Sequence, residues 1–187
     1  MGEPPAPIEI VQLELATYTA AIPDLGALLV DAVESGAAVN FLAGLDFGRA
    51  AAWWAEREAA VAAGEMVPFV ARQDGRVVGV TLLLPSGKEN APHRAEVAKV
   101  LVHRSARRQG VARRLLAAAE AGAVARGLSL LILDTEGGSD AERLYLSLGW
   151  QVTGSVPGYA LNVGGQPRAA TFMWKSLLPA NEPASRG

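Results

Sequence analysis

The chain contains no cysteine and only two histidines in 187 residues. Without thiols, disulfide frameworks and thiolate nucleophiles are excluded, and the composition suits a reducing cytoplasm, which is the expected location. His93 and His103 lack a cysteine or helical histidine partner, so no metal site is expected. An excess of one charge is also missing. The 17 Lys and Arg stand against 19 Asp and Glu, a formal net charge of -2. That balance, with no aromatics interleaved among the basic residues, argues against nucleic acid as a partner. The opening residues MGEPPAPIEI show no basic leader, and Ala6 stands where a myristoylation signal needs Ser or Thr. No later run reads as apolar enough to span a bilayer, so no membrane partner is expected.

What is present is apolar residue in quantity. Half the chain is hydrophobic, enough for one good core at this length. Residues 1–178 are read as a single domain, and 179–187, PANEPASRG, as a disordered tail too polar and proline-rich to pack. IEIVQL (8–13) alternates as a strand does, and helical spacing recurs over 16–34 and 47–63. MVPFVAR and RVVGVTLLL are β-rich runs joined by QDGR, where Asp74-Gly75 predicts a two-residue hairpin turn. RAEVAKVLV (94–102) is a further strand. Residues 110–126 then place Val111, Leu115, Ala118, Ala119 and Gly122 near one helical face, with Gly127 as the stop. LSLLILDT (128–135) reads as a strand covered on both faces, and SDAE (139–142) as a capping box opening a short helix that ends at Gly149. WQVTGSV and AATFMWKSL supply two last strands.

Five arginines fall within the thirteen residues RSARRQGVARRLL (104–116), around a single glycine at a strand-to-helix junction. A helix starting at Gly110 aims free backbone N–H groups and a positive dipole end at one spot, which attracts phosphate. Glycine lets the backbone approach a ligand closely, Ala112 keeps the second approach small, and Arg107, Arg108 and Arg113 add charge suited to a diphosphate. The common nucleotide motifs, G-x-x-x-x-G-K-[ST] and G-x-G-x-x-G after a first strand, are absent.

VHRSARRQGVARRLL, with its Arg107-x-x-Gly110-x-Ala112 pattern, resembles the pyrophosphate loop of the GNAT superfamily of acyl-CoA N-acyltransferases. AERLYLSLGW resembles the final helix of that superfamily. Within it, GAAVNFLAGLD, AAAWW, RAEVAKVLV, LDTEGGSDAERLY and PGY (157–159) are most similar to the tabtoxin-resistance acetyltransferase branch. The resemblance implies an α/β (α+β) fold with a mixed, mostly antiparallel central sheet and helices on both faces. It also implies acetyl-CoA as acyl donor in a cleft between the fourth and fifth strands, with a small-molecule amine as acceptor. An amino-acid-like compound or β-lactam toxin such as tabtoxinine-β-lactam is the expected acceptor, and toxin or antibiotic resistance the expected role. An aminoglycoside, a polyamine or a protein N-terminus is the alternative, as is a non-catalytic acyl-CoA sensor. For assembly, only the frequency of symmetric homodimers favours one.

The same resemblance assigns roles. Arg107, Arg108, Gln109, Gly110, Val111, Ala112 and Arg113 hold the cofactor, and backbone N–H groups near Leu101 and Val102 bind the thioester carbonyl oxygen. Glu96 is the candidate base, and Asp134 orients the amine or shares that task. Tyr145 holds a proton for the departing thiolate. Trp53 and Trp54 are adjacent on a helix and cannot face the same way. Trp54 is assigned to the acceptor pocket, together with Asn40, Phe41 and Tyr159 from variable loops. Two departures stand out. Arg104 replaces a common proline, and Gly138 replaces an asparagine whose contact with the pantetheine arm is worth about 1 kcal/mol.

Overall fold

In the computed structural model, which describes residues 6–178, the strands form one seven-stranded sheet ordered β1-β2-β3-β4-β5-β7-β6. These are β1 (Glu9–Gln12), β2 (Val67–Gln73), β3 (Arg76–Pro85), β4 (Arg94–Val102), β5 (Leu130–Glu136), β6 (Gln151–Leu161) and β7 (Pro167–Ser176). Every neighbouring pair is antiparallel except β4 and β5. The turn between β2 and β3 carries positive φ at both Asp74 (50°) and Gly75 (76°), the backbone that Asp-Gly favours in a two-residue hairpin.

Alternation along the central strands builds two cores. Val70, Val80 and Leu82 face helices α1 (Leu15–Glu34), α2 (Phe47–Ala55) and α3 (Glu58–Ala62). Phe69, Ala71 and Leu83 point the other way, toward α4 (Val111–Val124) and α5 (Asp140–Ser147). The helices therefore cover both faces, as expected. The expectation that no run is apolar enough for a bilayer needs correction, because α1 has the length and hydropathy of a span. Half of it is buried within the fold, where Tyr18, Leu25, Leu28 and Leu29 are each at most 1% exposed. Its apolar stripe is thus spent on the core.

The single helix expected over 47–63 is two helices. The chain breaks at Glu56-Arg57, where Arg57 turns its guanidinium back onto the Trp53 carbonyl. The last two strands are longer than expected, and β6 runs through the PGY segment to Leu161. The proposed tail at 179–187 lies outside the described residues.

Small residues on α4 allow it to lie close to the sheet. A Cβ added at Gly122 would stand 2.4 Å from Cζ of Phe69, a ring only 5% exposed. Gly122→Val is therefore expected to lower unfolding free energy by about 1–3 kcal/mol through overpacking. An unchanged denaturant midpoint would show that α4 is not held at this distance.

Candidate active site

The site begins where two strands part. β4 and β5 pair only from Arg94–Leu130 to Glu96–Ile132, after which β4 continues along β3 while β5 stays with β7. Beyond Glu96 the β5-facing side of β4 has no strand partner among the described residues. Leu101 and Val102 lie along this opened stretch, still in register with Val80 and Gly79 of β3.

A pocket of roughly 380 Å³ lies at the parting, lined by Glu96, Ile132, Leu133, Asp134, Thr153, Tyr159, Phe172 and Met173. Glu96 and Asp134 arrive on the same sheet face because Ile132, the partner of Glu96, is two residues before Asp134. Tyr159 stacks edge-on against Phe172, with ring centroids 5.1 Å apart. It belongs to β6 rather than to a loop, and an irregularity between Val156 and Ala160, with Gly158 at φ 63°, sits beside it. The Glu96 carboxylate is reachable from the pocket, yet its walls remove part of its water. That desolvation raises its pKa, the Asp134 carboxylate raises it further, and Lys99 opposes both.

Tyr145 comes from the other face. It is 6% exposed, packs against Trp150 with centroids 5.7 Å apart, and belongs to the α4–α5 core. Burial pushes its phenol pKa well up, and the charge on Asp134 adds to the shift. The side chain therefore keeps its proton throughout the neutral range.

The arginine-rich loop follows β4 as a short 3-10 turn, Arg104–Ala106, and then enters α4 with Gly110 at its N-cap. Gly110 is left-handed at φ 75°, no side chain caps the helix, and a Cβ at this position would meet nothing within 4 Å. Arg108 is left-handed as well, at φ 63°. The other arginines are largely committed elsewhere. Asp31 of α1, only 6% exposed, accepts from the Arg104 backbone N–H at 3.0 Å and pairs with the Arg104 guanidinium. Arg107 donates to the Val102 carbonyl at 3.1 Å and lies 3.6 Å from Asp31, a carboxylate it shares with Arg104. Arg113 donates to the Ser147 hydroxyl at 3.3 Å, and Arg114 to the Ile8 carbonyl at 2.7 Å. Arg108 enters none of these pairs. Gln109 anchors the loop by donating to the Ser105 carbonyl at 3.1 Å. Val111 is buried and Ala112 half-buried in the first turn of α4.

The family model described as Acetyltransferase (GNAT) family matches residues 29–150. The chain belongs to the GNAT acetyltransferase family. Solved GNAT-like structures span nearly all of it. The Salmonella typhimurium protein yncA, solved with its cofactor acetyl-CoA, is 22% identical, with 97% of this chain and 100% of that one covered at a TM-score of 0.72. The ribosomal-protein-alanine N-acetyltransferase of Brucella melitensis is 28% identical over 90% of this chain and 99% of that one, at a TM-score of 0.69. An N-acetyltransferase of Staphylococcus aureus Mu50 is 18% identical over 92% and 100%, at 0.75. The family match ends at Trp150, before β6 and β7 add Tyr159 and Phe172 to the pocket.

Trp54 requires a correction. It is fully buried, with Tyr18 donating to its carbonyl at 2.8 Å and their rings in edge contact, so it is a core residue with no face toward an acceptor. Its neighbour Trp53 is the half-buried one. The Arg57 guanidinium lies 3.5 Å from its ring centroid, the Lys99 ammonium 5.1 Å, and Phe41 meets it edge-on at 6.1 Å. Phe41 thus borders this cluster rather than the Glu96 pocket, while Asn40 is exposed in a left-handed turn at φ 68°. Sequence reasoning missed Lys99, Arg57 and Asp31. Two of them carried a usable signal: Lys99 and Asp31 are lone charges inside the apolar runs VAKVLV and LLVDAV.

Proposed function

We propose that the chain transfers an acetyl group from acetyl-CoA to the primary amine of a small, amino-acid-like molecule. The observation that carries this reading is the pairing of Glu96 and Asp134 in one pocket at the point where β4 leaves β5. Features of the loop fit the cofactor: an uncapped α4 N-terminus, a left-handed Gly110 with open space at its Cβ, and Arg108, which enters no salt bridge among the described residues. In this reading the N–H groups of the first turn of α4 and Arg108 hold the diphosphate, and the opened side of β4 at Leu101 and Val102 receives the acyl end. Acetyl-CoA, when bound, supplies the activated thioester.

The protein's own groups then manage protons. Glu96 accepts one from the acceptor ammonium, so that the amine becomes nucleophilic. Asp134 orients that nitrogen and, by its charge, strengthens Glu96 as a base. Tyr145 holds its proton at Oη for the leaving group. A β-lactam-bearing amino acid such as tabtoxinine-β-lactam is the finest form of this reading, and it rests on the quoted sequence stretches alone. A polyamine or aminoglycoside is the second reading. It is favoured by the two carboxylates and opposed by Lys99, whose charge acts on both.

The pH dependence of thiol release tests the assignment. Because Glu96 is raised above the usual carboxylate range, kcat should climb as it deprotonates, on an acidic limb displaced upward. Asp134→Asn deletes a like charge, so that limb should move to lower pH. Glu96→Gln should erase it, with part of the lost rate recovered at high pH where the amine is already neutral. A limb that stays in place in both variants would remove Glu96 from the base role.

A further inference from the structure

We propose that Lys99 and Arg57, gathered around the Trp53 ring, form a carboxylate-reading subsite, so that the acceptor is a primary amine that also carries a carboxylate. The inference rests on the acetyl-transfer reading above and names the residues that would choose its substrate.

The backbone sets the direction of Lys99. Along β4, Val97 faces the α4 core, Ala98 the α1 core, Val100 the α4 core and Leu101 the α1 core. Strict alternation would require Lys99 to point toward α4. Instead β4 bulges opposite Thr81, since Val80 pairs with Leu101 while Leu82 pairs with Ala98, and Lys99 adopts φ 52°. The extra residue turns the Lys99 side chain to the same face as Ala98, where it meets Trp53. A left-handed lysine inside a strand is an uncommon conformation for a side chain with a Cβ.

The second observation is the company it keeps. Arg57 stacks on the same ring and is fixed by its hydrogen bond to the Trp53 carbonyl. Its ion-pair partner among the described residues, Glu56 at 3.6 Å, is itself largely in solvent. Lys99 takes part in no salt bridge among the described residues. Two cations thus converge on one aromatic wall, Arg57 matched only by the solvent-exposed Glu56 and Lys99 by no ion-pair partner among the described residues. Burial and Arg57 both lower the pKa of Lys99, while Asp134 and Glu96 act in the opposite sense from the pocket. An anion at this point would relieve the repulsion between the two cations. Lys99, which shares the Glu96 face of β4 and feels the charges of Glu96 and Asp134, links the cation cluster to the pocket, and the two together would complement an ammonium and a carboxylate within one small molecule. The same cations disfavour a polycation.

The test uses L-amino acids and short ω-amino acids, each paired with its carboxamide, which keeps the size and removes the charge. Binding to the coenzyme A-loaded chain is followed by calorimetry and transfer by thiol release. Wild type should prefer the best acid over its amide at least ~10-fold, the scale of one charge-assisted hydrogen bond. Lys99→Met and Arg57→Gln should each bring that ratio toward one, mainly through KM, and Lys99→Arg should restore part of it. Melting curves establish that each variant is folded, and the two substitutions on different elements make a shared folding defect easy to recognise. Equal handling of acid and amide by wild type would overturn the subsite, as would variants that slow both alike. If calorimetry shows the acid preference while no amine is ever acetylated, the subsite stands and the transferase reading falls.

Discussion

Tyr145→Phe is expected to lower kcat by roughly 10²-fold or more while leaving stability and acetyl-CoA affinity nearly unchanged. The substitution keeps the ring against Trp150 in the α4–α5 core and deletes only the hydroxyl. Burial and Asp134 push the Tyr145 phenol pKa up, so the hydroxyl is protonated across the working pH range and can serve as a general acid. A donor that fails to protonate a departing group slows the chemical step without disturbing ground-state binding, which is why the effect should fall on kcat. Single-turnover measurement keeps product release from masking the loss. A wild-type single-turnover rate would reduce Tyr145 to a packing residue.

Gly110→Val should abolish the thermal stabilisation that acetyl-CoA confers. A ligand present at about 100 times its Kd contributes about 2.7 kcal/mol to the native state, which corresponds to a clear rise in Tm. Valine at this position has two effects of different kind. Its left-handed backbone is strained, at a cost of about 1–2 kcal/mol, so the unliganded variant should melt somewhat earlier. An added Cβ meets nothing within 4 Å, so the branch points into open space and the fold should survive. What the side chain does obstruct is the approach to the free N–H groups at the start of α4. An acetyl-CoA-induced Tm shift equal to that of wild type would show that the diphosphate is held elsewhere.

The legible parts of the fold were those fixed by short-range chemistry. Asp74-Gly75 announces its turn, the apolar run 128–135 its covered strand, and Ser139 its helix start, where the side chain accepts from the Glu142 N–H at 3.2 Å. The α4 start at Gly110 was equally plain, since a glycine after a strand and before an amphipathic run has few other uses. The loop arginines were less so. Their sequence clustering suggests a common ligand, but which charges are free depends on Asp31, a residue more than seventy positions upstream of Arg104 in the chain. Similarly, adjacency shows that Trp53 and Trp54 diverge, but only the packing of α2 against α1 decides which one is core. The β4 bulge left no signature in RAEVAKVLV, because an inserted residue shifts the alternation by one and a lysine within a strand ordinarily reads as solvent-facing. Tyr159 was expected in a variable loop and lies instead in β6, where it lines the pocket.

Mass spectrometry of an amine panel incubated with the purified chain and acetyl-CoA tests the central claim most directly. The proposed function predicts amine-dependent thiol release matched mole for mole by an N-acetylated product, with carboxylate-bearing amines foremost. Thiol release that is independent of every amine, or no turnover by a chain that binds acetyl-CoA, would contradict it.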